Sequence, residues 1–285
     1  MSNGTLVDPV SPEEYHRARQ KLQEFFTKKG LTWAVAQQRL SILSACENHL
    51  SIALHAFAGQ TWPLHQTNQM ELEKMLLENQ GSTGYFCDTT SYREEPTPKK
   101  GRHNLIFPMV EFELPGNFEV LLAFLQDLVQ HLGFVKAPAP VVDYRDYAKK
   151  CGVEELGDEH ETQLFRELGP VVMLVDFPMS TSPFWNMRLD GGPGEKIARK
   201  CDVIVCGQET IGSAERSCDP EQMRKSFRAV SGGDYARTLF ARFCSGRVLE
   251  ELEDFLSLPF FPRCGGGIGM TRLIRATRMV GLIDK

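Results

Sequence analysis

The sequence predicts an α+β fold built on a mainly antiparallel sheet flanked by helices. Residues 84–95 and 105–114 both have the pattern of strands of similar length, and a loop rich in proline and lysine separates them, so they are predicted to form a long hairpin. Strands and helices alternate irregularly along the chain, whereas a doubly wound sheet would need regular alternation. Adjacent strands are therefore expected to pair in hairpins.

The first helix is predicted by its capping residues. Ser11 is placed to cap the helix, Pro12 takes the first helical position, and Glu14 follows Ser11 by three residues, as in a capping box. Gly30 ends the helix. Residues 31–45 are rich in aliphatic side chains but mixed in period, so both strand and helix remain open there.

The remaining elements follow from hydrophobic periodicity. Helices are predicted at residues 69–79 and 118–133, and both are closed by glycine. Short apolar runs at residues 171–178 and 201–212 are bounded by turn residues, which is typical of buried strands. A last helix is predicted to begin at Met270.

Composition limits the class of protein. The chain has 285 residues, of which 42% are hydrophobic, enough for one large core or two modest ones. A net charge of -5 argues against a protein that mainly binds a nucleic-acid backbone. Eight cysteines occur without a CxxC pair or matching histidine spacing, so no zinc site is predicted. No apolar run reaches membrane-spanning length, and we expect a cytoplasmic protein with reduced thiols and no membrane contact.

The segment RCGGGIGMTRLIRATRM, residues 263–279, combines a glycine run with a basic helix. Each glycine costs roughly 0.5–1 kcal/mol of ordering entropy relative to alanine, so the run needs a reason such as close backbone approach. Arg272 falls in the first turn of the helix, where free N–H groups and the positive end of the helix dipole also attract anions. The pattern indicates a phosphate site, although a glycine turn before a solvated basic helix fits it as well.

The predicted hairpin carries a second set of charged residues. On a strand, side chains two residues apart point to the same face. Arg93 and Glu95 therefore share a face of the first strand, and Glu111 and Glu113 share a face of the second. Such a set can clamp a nucleotide, hold Mg²⁺ and bind an amino group, but a surface hairpin with cross-strand salt bridges would show the same spacing. The charged residues are Arg93, Glu95, Arg102, His103, Glu111 and Glu113.

Four stretches of the chain resemble class II aminoacyl-tRNA synthetases, and they occur in the family's order along the sequence. SYREE through GRHNLIFPMVEFE resembles motif 2 of that family, and GGGIGMTRLIRA resembles motif 3. PLHQTNQMELEK and GQETIGSAER are similar to segments of the aspartyl and asparaginyl branch. The resemblance implies a six- or seven-stranded antiparallel sheet with flanking helices, forming one catalytic domain at residues 11–285 behind an extended tail at residues 1–10. No stretch resembles the anticodon-binding domain, so no anticodon recognition is expected.

The resemblance also implies ATP and Mg²⁺ as cofactors and assigns residues to them by position. Arg93 would contact the α-phosphate and Arg272 the γ-phosphate, which makes these two the catalytic residues. Glu209 would hold Mg²⁺, Glu95 would meet the adenine end, and His103 would meet the outer phosphates. The implied nucleotide-binding residues are Arg93, Glu95, Arg102, His103, Glu209, Gly267, Gly269 and Arg272.

A second implied set binds the amino acid. Gln69 and Ser213 would line the pocket, Glu111 would bind the α-amino group, and Arg216 would bind a side-chain carboxylate or amide oxygen. Leu72 stands where aspartate-specific members of the branch have a lysine. The resemblance therefore implies one positive charge in the side-chain pocket instead of two.

The activity implied most strongly is that of an archaeal-type asparagine synthetase. Such a ligase would form an adenylate from aspartate or a related amino acid, use ammonia as the acceptor, and release AMP and pyrophosphate. Two alternatives stay open: an aminoacylating paralogue that loads a small acceptor, a carrier protein or tRNA, and a non-catalytic regulator that binds an amino acid or nucleotide. A homodimer is expected, because the first helix resembles the family's dimer element.

Overall fold

The computed structural model describes residues 10–45, 48–99, 102–191 and 196–282. Residues 1–9 of the predicted tail lie outside the described residues, and Val10 packs against the main hydrophobic core.

One large sheet organises the fold. The strands of the described residues are β1 (Thr32–Trp33), β2 (Leu54–Phe57), β3 (Gln60–Pro63), β4 (Tyr85–Tyr92), β5 (Ile106–Pro115), β6 (Val141–Asp143), β7 (Val171–Pro178), β8 (Leu189–Asp190), β9 (Ile197–Val205), β10 (Gln208–Glu215) and β11 (Arg263–Gly269). The main sheet has the order β1-β4-β5-β11-β10-β9-β7-β6, with β8 beside β9, while β2 and β3 form a separate hairpin. Its pairs are antiparallel except β1 with β4 and β6 with β7. This confirms the predicted α+β fold.

The helices flank this sheet. They are α1 (Pro12–Lys28), α2 (Gln69–Glu78), α3 (Phe118–His131), α4 (Tyr144–Cys151), α5 (Asp158–Leu168), α6 (Pro220–Ala229), α7 (Asp234–Phe243), α8 (Ser245–Leu256) and α9 (Met270–Met279). The predicted capping box of α1 is present, since Glu14 N donates to Ser11 Oγ at 3.2 Å and Ser11 N donates to Glu14 Oε2 at 2.9 Å. No helix in the described part of the chain is both long and apolar enough to cross a membrane.

Two strand predictions differ in outcome. The hairpin is confirmed, because β4 and β5 pair antiparallel from Tyr85 opposite Glu113 to Tyr92 opposite Ile106. The apolar run at residues 201–212 is divided between two antiparallel strands, β9 and β10. The chain reverses at Gly207, where a φ of +79° favours glycine and ends the first strand.

The main hydrophobic core packs against the large sheet. Helices α1, α3 and α9 pack against it in a cluster that includes Leu22, Phe26, Phe112 and Ile268. A separate cluster joins α6, α7 and α8 around Trp185. Burial of these apolar side chains is the main term that stabilises the sheet on which the charged side chains are mounted.

The glycine run lies in β11, at the centre of the sheet, and its small size permits close packing. A Cβ atom at Gly265 would lie 1.9 Å from Glu113 Oε2, and one at Gly267 would lie 2.5 Å from Met109 Cε. Both distances are far below a van der Waals contact. The glycine run therefore leaves room for side chains of β5 to lie against the β11 backbone. It would also let a ligand approach that backbone closely.

Candidate functional site

The eight residues of the predicted nucleotide set lie together around one cavity of about 350 Å³, which we call the hairpin cavity. It lies between the end of the β4–β5 hairpin and the start of α9, and Phe107, Thr210 and Gly212 also line it. Residues as far apart in the sequence as Arg93 and Arg272 thus lie at one cavity, although nucleotide binding itself stays a prediction.

One wall of the hairpin cavity pairs an arginine with an aromatic ring. The guanidinium carbon of Arg93 lies 5.3 Å from the centroid of the Phe107 ring, and Arg93 Nε donates to Ser91 Oγ at 3.4 Å. An aromatic face and a guanidinium plane both suit stacking against a base. Sequence reasoning missed Phe107, although it lies in the strand segment that was singled out for its charged residues.

The opposite wall is the start of α9. Arg272 Nη1 donates to the backbone carbonyl of Glu209 at 2.6 Å and lies 3.9 Å from Glu209 Oε2. No side chain caps the helix at Gly269, so the N–H groups of its first turn face the same region. A cationic side chain beside a helix start is an arrangement that suits an anion, and anion binding here stays a prediction.

The hairpin loop is held by carboxylates. His103 Nδ1 lies 2.7 Å from Glu95 Oε2, and Arg102 pairs with Glu161 and, at 3.2 Å from Nε, with Asp158 Oδ1. Glu161 also accepts a hydrogen bond of 3.0 Å from the backbone N–H of Glu209. Sequence reasoning assigned no function to Glu161, since only the fold brings α5 to the loop.

Two carboxylates flank Gly212 at the edge of the hairpin cavity. A Cβ atom at Gly212 would lie 3.0 Å from Glu209 Oε1 and 3.8 Å from Asp202 Oδ1. Asp202 Oδ1 is buried without a hydrogen-bond partner, while Oδ2 accepts from Lys200 Nζ at 2.7 Å. A buried carboxylate oxygen left unpaired beside a second carboxylate fits a hard divalent cation such as Mg²⁺. Sequence reasoning missed Asp202.

The pKa values of these two carboxylates shift in opposite directions, because burial prevails at Asp202 and neighbouring cations prevail at Glu209. Burial raises the pKa of Asp202 to about 7, although Lys200 opposes the shift. Burial also acts to raise the pKa of Glu209, but Lys200, Arg272 and Arg93 outweigh it and lower that pKa. Glu209 is therefore ionised at neutral pH and available to a cation.

A second cavity of about 260 Å³ adjoins the first, and we call it the strand cavity. Glu209 and Gly212 line both cavities, so a ligand in each would meet at these residues. Three members of the predicted substrate-binding set line this cavity. Lys200, Phe184 and Met187, which the sequence did not suggest, line it as well. The three members are Gln69, Ser213 and Arg216.

Leu72 and Glu111, the other two members, line neither cavity, and their binding roles stay predictions. Leu72 is fully buried in an apolar cluster with Ala36 and Cys87, where contact with those side chains is favourable. Glu111 is fully buried as well, and its Oε2 accepts from the backbone N–H of Asn68 at 2.8 Å. This carboxylate satisfies a backbone donor at the start of α2.

A family model and a curated protein that match this chain both belong to the aminoacyl-tRNA synthetases. The family described as tRNA synthetases class II (D, K and N) matches residues 50–280. The aspartate–tRNA(Asp) ligase of Pyrobaculum aerophilum is 26% identical over 152 residues, which cover 50% of this chain and 31% of that protein.

Solved structures show the same fold. Asparaginyl-tRNA synthetase from Pyrococcus horikoshii complexed with asparaginyl-adenylate superposes with a TM-score of 0.74 and 18% identity, over 95% of this chain and 65% of the other. Aspartyl tRNA synthetase from Entamoeba histolytica superposes with a TM-score of 0.69 and 17% sequence identity, over 95% of this chain and 56% of the other. The chain thus spans less than two thirds of the length of these relatives.

Proposed function

Because the chain belongs to the class II tRNA synthetases for aspartate, lysine and asparagine, we propose that it activates an amino acid with ATP. The observation that carries this proposal is the junction of the two cavities at Glu209 and Gly212. ATP would occupy the hairpin cavity and the amino acid the strand cavity. The α-phosphate and the reacting carboxylate would then meet at the junction, within one domain formed by residues 11–285.

The chemical step needs no nucleophile from the protein. A carboxylate oxygen of the amino acid attacks the α-phosphorus, the bond from that phosphorus to the bridging oxygen breaks, and pyrophosphate leaves. Like charges approach each other, so catalysis consists of positioning and charge neutralisation. Arg93 would neutralise the α-phosphate, and Arg272 with the start of α9 would bind the γ-phosphate. Phe107 would offer a stacking surface to the adenine.

Asp202 and Glu209 are the residues that would hold Mg²⁺. The metal would supply charge neutralisation to the leaving pyrophosphate. Lys200 keeps Asp202 in place, and the cations near Glu209 keep that group ionised.

The acceptor defines the product. The relatives carry names of tRNA ligases, which favours transfer of the activated amino acid to tRNA. Amide formation with ammonia, as in an asparagine synthetase, uses the same adenylate and is the alternative product. Measuring AMP release with ammonium chloride and, separately, with total tRNA distinguishes these acceptors.

Amino-acid-dependent exchange of pyrophosphate into ATP tests the proposal. We expect exchange with one member of the aspartate, asparagine and glutamate group, and a loss of about 2–4 kcal/mol of transition-state stabilisation in Arg272→Ala. Arg237→Ala is the matched control, because Arg237 pairs with Asp234 on α7, on the exposed surface. No exchange with any amino acid, while ATP still binds, would favour the regulator.

A further inference from the structure

One extra residue in β10 brings Glu209 to the same face of the sheet as Asp202. Glu209 lies opposite Ile204 of β9. Gly212, three residues further along β10, lies opposite Asp202, which is only two residues from Ile204. Residues three apart on a regular strand face opposite sides of the sheet, but the β-bulge at Thr210 puts Glu209 and Gly212 on one side. The two carboxylates proposed to hold Mg²⁺ therefore lie together because of this bulge.

The backbone of Glu209 is held by side chains on the side where a strand would otherwise pair with it. β11 pairs with β10 from Ile211 onwards, beyond the bulge. The N–H of Glu209 instead donates to Glu161 Oε2 at 3.0 Å, and its carbonyl accepts from Arg272 Nη1 at 2.6 Å. Backbone donors and acceptors need such partners wherever the sheet does not supply them, so these two contacts stabilise the bulge.

Glu161 reaches this position from α5. It lies three residues before Leu164, which is buried in one cluster with Ile204, so both side chains lie on the side of α5 that faces the sheet. Glu161 Oε2 also pairs with Arg102. One carboxylate of α5 thus joins the hairpin loop to the backbone of the residue proposed to bind the metal ion.

We propose that Glu161 is a positioning residue for the divalent cation. Its carboxylate holds the bulge of β10, and the bulge presents the Glu209 side chain beside Asp202. Glu161 acts through the backbone of Glu209 and is not itself a ligand. This inference rests on the proposed function for the presence of the cation, but it concerns the geometry and cation affinity of the chain and can fail separately.

Glu161→Met and Glu161→Gln test the inference, because both remove the charge but only Glu161→Gln keeps an oxygen that accepts from the Glu209 N–H. Mn²⁺ is titrated in the presence of a non-hydrolysable ATP analogue, and free Mn²⁺ is followed by electron paramagnetic resonance, with the analogue alone as the blank. Mn²⁺ affinity should fall roughly 10- to 100-fold in Glu161→Met, as when a residue that orients a metal ligand is removed. It should fall at most about fivefold in Glu161→Gln, because a neutral hydrogen bond replaces a charged one.

Hydrogen–deuterium exchange without metal reports on the bulge itself. The amide of Glu209 should exchange roughly tenfold faster in Glu161→Met, because its acceptor is gone, and near the parent rate in Glu161→Gln. Glu159→Gln is the matched control, since Glu159 lies on the same helix with a side chain that is 78% exposed. It should change neither the exchange rate nor the Mn²⁺ affinity.

Equal losses of Mn²⁺ affinity in the two Glu161 variants would overturn the inference, because the effect would then come from the charge alone. Unchanged affinity in Glu161→Met, or a parent that binds no Mn²⁺ beyond the blank, would overturn it as well. A parent whose Mn²⁺ binding depends on Glu161 in this way but which exchanges no pyrophosphate would uphold the inference and contradict the proposed function.

Discussion

At the scale of single residues, Glu209 shows how the site is prepared electrostatically. It lines both cavities, and the nearby cations Lys200, Arg272 and Arg93 lower its pKa against the effect of burial. The same cations would otherwise repel one another in a partly buried space. A carboxylate at their centre therefore stabilises the cluster and leaves a defined position for a metal ion.

Leu72 gives a residue-scale prediction that separates packing from recognition. Leu72→Ala should lower the free energy of unfolding by about 2–5 kcal/mol, because it removes a fully buried side chain. Leu72→Lys should be more destabilising, since an ammonium would replace it among Ala36 and Cys87. Urea unfolding monitors both, with Leu72→Met as the volume-conserving control. A stable Leu72→Lys protein with stronger aspartate binding would show that this position faces the substrate after all.

The placement of site residues, though not their roles, was predictable where a motif fixes both position and direction. Arg93 and Arg272 fall at the end of a strand and the start of a helix, and the fold turns both towards one cavity. Asp202 and Lys200 lie within an apolar central strand, where alternation gives two faces but does not say which face meets a ligand. Nothing in their spacing distinguishes them from structural charges.

At the scale of elements, an ion pair joins the first helix to the last. Arg278 Nη2 on α9 donates to Glu14 Oε2 on α1 at 2.6 Å. The hydrogen bond from Arg278 and the bond from the backbone of Ser11 lower the pKa of Glu14 to about 2. The pair therefore stabilises the packing of α1 against α9.

The pH dependence of this pair has a definite sign. Because the folded pKa of Glu14 lies below its ordinary value of 4.5, its contribution is complete above about pH 4.5 and is lost as the pH falls towards 2. Glu14→Gln keeps the cap but loses the charge, so it should cost up to about 1 kcal/mol at pH 7. Urea unfolding should show this difference shrinking between pH 4.5 and pH 2.5. A difference independent of pH, or one equalled by Glu24→Gln on the same helix, would contradict the assignment.

Elements with strong local signals were predictable, and those set by tertiary contacts were not. The capping box predicted α1, and the proline-rich loop between two strand patterns predicted the β4–β5 hairpin. Residues 31–45 contain only the short strand β1, because the buried side chains among them, such as Leu31, Ala36 and Ile42, recur without a regular period. Sequence period carries no information about such segments.

At the scale of the whole molecule, we predict a homodimer formed through α1 and the edge of the sheet at β1. Trp33 and Val35 are 50% and 47% exposed there, although both are large and apolar. A stable interface of this kind buries well above about 1,600 Å². Val35→Asp should shift the protein to monomer in sedimentation at micromolar concentration, whereas Leu168→Asp on α5, where the leucine is similarly exposed, should not. A parent that sediments as a monomer would exclude this interface.

The central claim is that a substrate carboxylate attacks the α-phosphate of ATP where the two cavities meet. Transfer of ¹⁸O from a substrate labelled in the reacting carboxylate tests it most directly, with the products resolved by mass spectrometry. We predict that AMP released during turnover carries one ¹⁸O atom, because the oxygen that attacks phosphorus stays with AMP when the acceptor displaces it. Label in inorganic phosphate with release of ADP, or AMP without label, would contradict the account.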